Sequence, residues 1–579
     1  MVYERSQHPD EPRTSLRTFS TFLGAAYGSI QMLILHTPHY EGNVNPYLQA
    51  GRWLGAATLV STTFLLFWNR LRHEFRLVRL SRWSEHHVVC GLGQKGMAIV
   101  ESIRRGNKHA RIVVIDPDPV PHFVEQCDSL GVSVIRRDAT DRKSLDMARV
   151  ATAGEIIAVT VADETNIRIA AELRGSRKTA AAAHAFCRVH IANSYLPGAL
   201  QKWTDATADI HTTLRFFDVF DNEARRVLLN LPADGQDDPL PLGNFAPIDG
   251  AGIGPADERS VHVVILGMGR MGSALGARSV KMGHFANGKP LRLSVIDRNA
   301  DRQRDQFLFH HPILGDHNEV CDLKLHQHHA DSRGARQLLE QFAAETDSLL
   351  HVFVCLDSDA RSAEVGLRLW EVIEAHPGAY MNIRIKSQAS LAPILQSSIA
   401  RIRTFGMLED TCTTETFRSE QNEAIAEAIH KEFVAARKAG DPSRINDPAL
   451  AEWSQLRDDF RESNRQQADH MAIKMRAIGC AIVAASAPGD AVTVFPRDEV
   501  ESLAELEHRR WNAERLLSGW RHGTKTDKQR RIHENLVAWD LVPDNVQEYD
   551  REAIKNIPWL LAKVSPKMKV VRRGGANKA

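Results

Sequence analysis

One pattern that occurs twice constrains this fold more than any other feature. The apolar run His87-Val88-Val89-Cys90 leads into Gly91-Leu92-Gly93-Gln94-Lys95-Gly96, and a second apolar run, Arg111 to Ile115, ends in Asp116. Further on, Val261 to Leu266 leads into Gly267-Met268-Gly269-Arg270-Met271-Gly272, and Leu291 to Ile296 ends in Asp297. Each copy reads as a buried strand, a glycine turn and a helix. The first glycine allows a tight turn, the second lets backbone approach a pyrophosphate, and the third lets helix and strand pack closely. The helix N-terminus offers unpaired N–H groups and the positive end of its dipole to the phosphates. The acid, about twenty residues past the last glycine, is placed to accept from ribose hydroxyls.

Around each turn, strands alternate with helices. Strands are predicted at 87–90, 111–115, 132–136, 155–160 and 184–189, and again at 261–266, 291–296 and near 320–326, 350–356 and 381–386. That rhythm specifies βαβ units and parallel sheets. The fold class is α/β, with two Rossmann-like doubly wound parallel sheets in tandem, repeating at about 175 residues. Asp138-Ala139 and Asp163-Glu164-Thr165-Asn166 follow the third and fourth strands of the first copy, at the carboxyl edge beside the ligand crevice. Each acid serves equally well as a helix N-cap. Asp331 ends the third strand of the second copy. Arg298 follows Asp297 and either meets a 2′-phosphate or points to solvent. His326, His328 and His329 lack partner ligands at metal spacing, so no metal is expected.

The 579 residues imply three or four domains. A net charge of +1 supplies no basic field for nucleic acid. The seven cysteines form no C-x-x-C pair and fit a reducing compartment.

Before the first copy, Phe19 to Leu35 and Trp53 to Trp68 are apolar, each a little short of the ~20 residues that span a bilayer. Arg5, Arg13 and Arg17 precede them, Arg70, Arg72, Arg76, Arg79 and Arg82 follow, and His36 to Gln49 contains no Lys or Arg. This asymmetry predicts a two-helix transmembrane hairpin over 1–82 with both ends cytoplasmic; the alternative is a pair of buried or interfacial helices. The loop contains no filter-like sequence, so the hairpin reads as an anchor or oligomerisation element. Residues 232–259, rich in Pro, Gly and Asp, read as a linker between domains at 83–231 and 260–410. A helical connector follows at 411–499, in which Arg461 to Arg465 reads as an exposed helical turn. The last domain spans 500–566, and 567–579 reads as a disordered basic tail that touches anionic lipid.

In the last domain, Trp511, Trp520, Trp539 and Tyr549 are interleaved with His508, Arg515, Arg521 and Arg531. Aromatic rings with Arg suit stacking on a base and gripping phosphate; the alternative is that the tryptophans are the core of a small helical domain. His508 with Glu505 is an acid–base pair with no motif behind it.

Cys90 to Gly96, Asp116, Asp138-Ala139-Thr140 and Val161 to Ile167 resemble the TrkA-N domain, the nucleotide-binding domain of regulators of potassium conductance (RCK proteins). Arg137 stands where that family usually has Gly. The resemblance covers 87–217 and is looser from 261 to about 405. It implies binding of NAD(H) or another adenine nucleotide, ligand-controlled regulation in place of hydride transfer, pairing of the two tandem domains within one chain, and a homo-oligomer. Leu506 to Arg515, Gly519 to Gly523, His533, Leu536 to Asp540 and Tyr549-Asp550-Arg551 resemble the bacterial ryanodine-receptor repeat (RyR) domain.

The resulting expectation is a nucleotide sensor with a second ligand at the RyR-like domain, anchored in the bacterial inner membrane with its soluble domains in the cytoplasm. It would control ion transport or act as a stress or defence effector. No catalytic residues are expected; the alternatives are an NAD(P)-dependent oxidoreductase, a nucleotide-processing enzyme or a structural adaptor.

Overall fold

The computed structural model describes residues 46–47, 50–51, 53–64, 83–177, 185–193, 196, 200, 212–229, 247–386, 401–406, 408–413, 420–440, 447–453, 455–527, 530–564 and 567–573. The chain forms two compact units, Met1–Trp83 and Ser84–Ala579. In the first, residues 53–64 are helical. Among the described residues no helix is long and apolar enough to cross a membrane. The apolar run 19–35 and the flanking arginines lie outside the described residues.

The second unit opens with β1 (His87–Cys90), α1 (Gln94–Gly106), β2 (Ile112–Ile115), α2 (Pro121–Ser129), β3 (Ser133–Ile135), α3 (Arg142–Met147), β4 (Glu155–Ala158), α4 (Asp163–Arg177), β5 (Ala185–His190), β6 (Thr212–Phe217) and α5 (Val219–Leu229). The order in the sheet is β3-β2-β1-β4-β5-β6, and the pairings are parallel. All four residues of β2 are buried. This is why it is a continuous Ile-Val-Val-Ile run and not an alternating one: helices cover both faces of such a sheet.

The topology then repeats. β7 (Ser260–Leu266), α6 (Arg270–Met282), β8 (Leu291–Asp297), α7 (Ala300–His310), β9 (Cys321–Gln327), α8 (Arg333–Ala343), β10 (Ser348–Val354), α9 (Asp359–Ile373), β11 (Ala379–Arg384) and β12 (Ile402–Phe405) build a sheet of order β9-β8-β7-β10-β11-β12, also parallel. Each sheet has a sixth strand, β6 or β12, that the sequence pattern did not reveal.

The two sheets exchange helices. α5 leaves the first sheet and packs on α6 of the second, where Ala224, Val227 and Leu228 join the second sheet's core. α10 (Leu408–Thr411) leaves the second sheet and packs on α1, and Cys412 joins the first sheet's core. The Glu223 carboxylate of α5 accepts from the Gly406 amide at 2.6 Å and binds Arg226 at 2.7 Å.

α11 (Glu420–Gly440) and α12 (Asp458–Ala477) pack together, and α12 and α13 (Arg497–Leu517) both lie against α6. The stretch 461–465, expected at the surface, is instead a charged seam. Arg461 is 2% exposed, Arg465 binds Glu423 at 2.7 Å, and Ser463 donates to Glu514 at 2.8 Å. The polar residues face partners on other elements, and burying them requires those partners. Part of the expected linker is also docked: Ile248, Asp249 and Ile253 are buried, and Asp249 pairs with Arg476 at 2.7 Å.

The last domain adds β14 (Arg521–His522) paired with β15 (Ile532–His533), α14 (Asp544–Lys555) and α15 (Ile557–Lys563). The expected disordered tail is corrected over its described part. β16 (Met568–Arg572) pairs antiparallel with β13 (Cys480–Ala484), buries Val570 and Val571, and anchors Arg572 on Glu499 at 2.7 Å.

Candidate functional site

Both glycine turns are built alike. Gly91 and Gly267 take φ of +106° and +94°, a region that suits glycine. A Cβ on Gly96 would lie 2.0 Å from the Gly91 carbonyl oxygen, and one on Gly272 would lie 2.1 Å from that of Gly267. Gly93 and Gly269 differ: a Cβ on either meets nothing within 4 Å. Each is the N-cap of its helix, with no side-chain cap and no acid in the first turn. The first-turn N–H groups of α1 and α6 thus face open space, as an anion requires.

Asp116 and Asp297 brace these turns. Leu92 N–H donates to Asp116 Oδ2 at 2.6 Å, and Met268 N–H donates to Asp297 Oδ2 at 2.8 Å. The other oxygens accept from Asp118 and Asn299 amides. A carboxylate has about four lone-pair sites, so each retains capacity for a ribose hydroxyl. Asp138 accepts from the Thr140 amide and hydroxyl, both at 2.8 Å, which holds its carboxyl below the usual range. Ala139 beside it is buried. Asp163 accepts from Ala192 and Asn193 amides and ties the start of α4 to the chain just beyond β5. Asp331 pairs with Arg361 at 2.8 Å, and Arg298, like Gln94 and Arg270, is exposed. Met271 is buried.

Lys95 is the distinctive residue. Its Nζ lies 2.6 Å from His190 Nε2, at the end of β5. Burial lowers the pKa of Lys95. Burial and the neighbouring lysine drive His190 down to about 3, so the imidazole is neutral and accepts. His190 was missed from sequence; Asn166, in the run expected beside the ligand crevice, is fully buried and joins the ends of β4 and β5 through Thr160 and the His190 carbonyl. His190 sits where a predicted strand meets a loop at the ligand edge, and that position was the available signal.

In the last domain, Trp511, Trp520 and Trp539 are all half-buried, and Trp539 packs against the domain's hydrophobic core. Trp511 and Trp520 close on His533 at 4.9 and 6.1 Å between ring centroids. The Arg515 guanidinium lies 5.7 Å from the Trp511 ring and 5.2 Å from that of Trp520. His508 donates through Nε2 to the Val537 carbonyl at 3.0 Å and turns Nδ1 to Asp550 at 3.4 Å. Glu505 instead faces Arg509 at 3.8 Å, so Asp550, not Glu505, is the carboxylate partner of His508. Asn512, one turn from His508, donates to the same carbonyl and leaves its buried Oδ1 without a partner. Trp539 donates to Glu501 and lies under Arg551. Arg531 caps the Ser518 carbonyl at 2.7 Å. Tyr549 turns to α11, where Arg437 lies 4.4 Å over its ring.

The comparisons with known proteins divide along these same lines. The TrkA-N domain family model matches residues 87–194, and the RyR domain family model matches 496–565. Two separate stretches of the chain thus match two family models. The TrkA-N domain begins at β1 and contains the first glycine turn, Asp116, Asp138 and Asp163. The RyR domain contains α13 and its aromatic cluster. Among solved structures, the chain is similar to the crystal structure of GsuK bound to ADP (13% identity over 72% of this chain and 93% of that one, TM-score 0.37). It is also similar to the GsuK RCK domain (15%, 58% and 78%, TM-score 0.37) and to the human SLO3 gating ring (10%, 58% and 82%, TM-score 0.39). No curated protein matches the chain. Among the described residues, no group of three or more His, Cys, Asp or Glu is placed to hold a metal ion.

Proposed function

We propose that this chain is a nucleotide-sensing regulator. NAD(H) or another adenine nucleotide binds at the glycine turns, and its arrival is transmitted to the RyR domain. The observation that carries this reading is α6. Its first turn is the second glycine turn, and its far half is locked into buried charge. Arg278 pairs with Asp221 of α5 and lies 3.7 Å from Asp469 and Glu462 of α12. Lys474 of α12 pairs with Glu507 of α13 at 2.5 Å. α13 also carries His508, Trp511 and Arg515. A ligand that moves α6 must therefore re-form pairs that reach the aromatic cluster, and packed interfaces switch between discrete arrangements in preference to deforming continuously.

The RyR domain takes a second ligand at Trp511, Trp520 and Arg515, and the two sites are coupled reciprocally. The two apolar runs before the TrkA-N domain anchor the protein in a bacterial inner membrane as a homo-oligomer, with Ser84–Ala579 in the cytoplasm. There it controls ion transport or acts as a stress or defence effector. It is a binding protein and not an enzyme.

Thermal unfolding of the full chain against NAD, NADH, NADP, ATP, ADP-ribose and cyclic nucleotides tests the reading. At least one must raise the unfolding temperature, because a ligand that binds only the native state stabilises it. No stabilisation by any of them overturns the sensor, and turnover of any of them overturns the non-enzyme reading.

A further inference from the structure

The first turn of α1 brings an amine, as well as amides, to the ligand edge. Lys95, two residues past the N-cap Gly93, reaches the end of β5, where its Nζ lies 2.6 Å from His190 Nε2. His190 is 1% exposed, and its Nδ1 lies 3.4 Å from the Phe217 carbonyl oxygen. That oxygen only accepts, so Nδ1 carries the ring proton and Nε2 faces Lys95 as an acceptor. The Phe220 ring centroid lies 5.7 Å from Nζ. Among the described residues Lys95 forms no salt bridge. Burial lowers its pKa, aided by Arg270, and outweighs the opposing effects of Cys412, Asp218 and Asp163. A desolvated lysine held by a neutral ring is the setting in which the amine acts as a nucleophile toward carbonyl groups.

The sheet order determines which part of a ligand meets this amine. Asp116 follows β2 and His190 ends β5, on opposite sides of β1 and its glycine turn. A nucleotide with its adenosine ribose at Asp116 and its phosphates at the turn extends its far end toward β4 and β5. In NAD the far ribose is capped at C1 by nicotinamide. In ADP-ribose the same C1 is a hemiacetal, which opens to an aldehyde.

We propose that Lys95 captures the free aldehyde of a nucleotide-linked sugar, of which ADP-ribose is the simplest, as a reversible imine. This rests on the nucleotide reading above and names the ligand that the first cleft retains. The Nζ lone pair attacks C1 and forms the carbon–nitrogen bond. Both protons of the neutral amine leave with the aldehyde oxygen as water, and nothing is oxidised or reduced. Once protonated, the imine donates to His190 Nε2 as the ammonium did. The ligand stays until water reverses the step, whereas intact NAD lacks the aldehyde and exchanges freely. The second turn carries Met271 at the position of Lys95, buried and without an amine, so capture is confined to the first cleft.

Borohydride trapping on the full chain is the test. ADP-ribose is added near neutral pH, borohydride reduces any imine to a stable secondary amine, and peptide mass mapping locates it. Lys95 should be labelled roughly tenfold or more faster than the exposed Lys108 and Lys143, because a bound aldehyde is presented at high effective concentration. Excess AMP should slow the labelling of Lys95 and leave that of Lys108 and Lys143 unchanged. NAD in place of ADP-ribose should label nothing, and the fast phase of mass gain should vanish in Lys95→Arg. Titration calorimetry of the unaltered chain separates two failures. ADP-ribose that binds with no adduct at Lys95 overturns capture and leaves nucleotide binding standing. So does labelling of Lys95 that is no faster than that of Lys108 and Lys143, or that AMP does not slow. Failure of ADP-ribose, AMP and NAD alike to bind overturns the underlying reading as well.

Discussion

The carbonyl oxygen of Gly91 stands 2.0 Å from the point that a Cβ on Gly96 would occupy. Gly96→Ala therefore forces the turn open and should cost roughly 1–3 kcal/mol or more, as overpacking does. Gly93 has open space, so Gly93→Ala should be near neutral. Gly93→Asp should keep the fold and abolish nucleotide binding at that turn, because its carboxylate occupies the phosphate position. Urea unfolding and nucleotide titration of the three variants check the contrast. Nucleotide affinity unchanged in Gly93→Asp would remove the turn from the site.

The Glu507 carboxylate is held by Lys474 and Arg510, and all three are buried. Burial alone would raise the pKa of Glu507, but the two cations outweigh it and hold it at about 2. Glu507→Gln leaves buried Lys474 without its paired carboxylate and Arg510 with Glu514 alone, and should destabilise by about 3–5 kcal/mol. The urea midpoint reports it. A change under about 1 kcal/mol would show that water enters this seam.

Acid should unfold the protein earlier than its carboxylates require. Burial drives His190, His262 and His284 to about 3, and His311 and His351 to about 4, from an ordinary 6.5. In that interval the unfolded chain binds more protons than the folded one. The stability these groups contribute is therefore complete above about pH 6.5 and is lost as pH falls from there toward 4. Melts at pH 7.5, 6.5 and 5.5 should show the unfolding temperature dropping over the last step, above the range where Glu507 protonates. A flat profile would mean these imidazoles are solvated.

Truncating two tryptophans should separate surface from core. Trp370 is 4% exposed, and Trp370→Ala should cost about 3–5 kcal/mol. Trp511 is half-buried, and Trp511→Ala should cost less than about half as much while removing the platform for Arg515. Equal losses of stability would make the RyR cluster a core.

The sequence pattern revealed five strands in each sheet and both turns, because buried parallel strands are apolar runs and G-x-G-x-x-G has fixed spacing. It missed β6 and β12, which lie at sheet edges; β6 carries Thr212, Thr213 and Arg215. It placed 461–465 at the surface because charge is usually solvated, while the partners that bury it lie far off, on Arg278, Glu423 and Glu514. Lys569 and Arg572 suggested a loose tail, yet Val570 and Val571 between them follow a strand's burial. The setting of Lys95 was half legible. Lys95 stands in the motif, but His190 meets it only because β5 lies beside β4 in the sheet.

That exchange has a consequence for assembly. Two separate chains that traded helices in this way would be at the mercy of dilution, falling apart below their dissociation constant. Here the partner is always present, because residues 230–259 tether it at an effective concentration on the order of millimolar. A mutation in one sheet therefore alters one member of the pair and leaves the other intact.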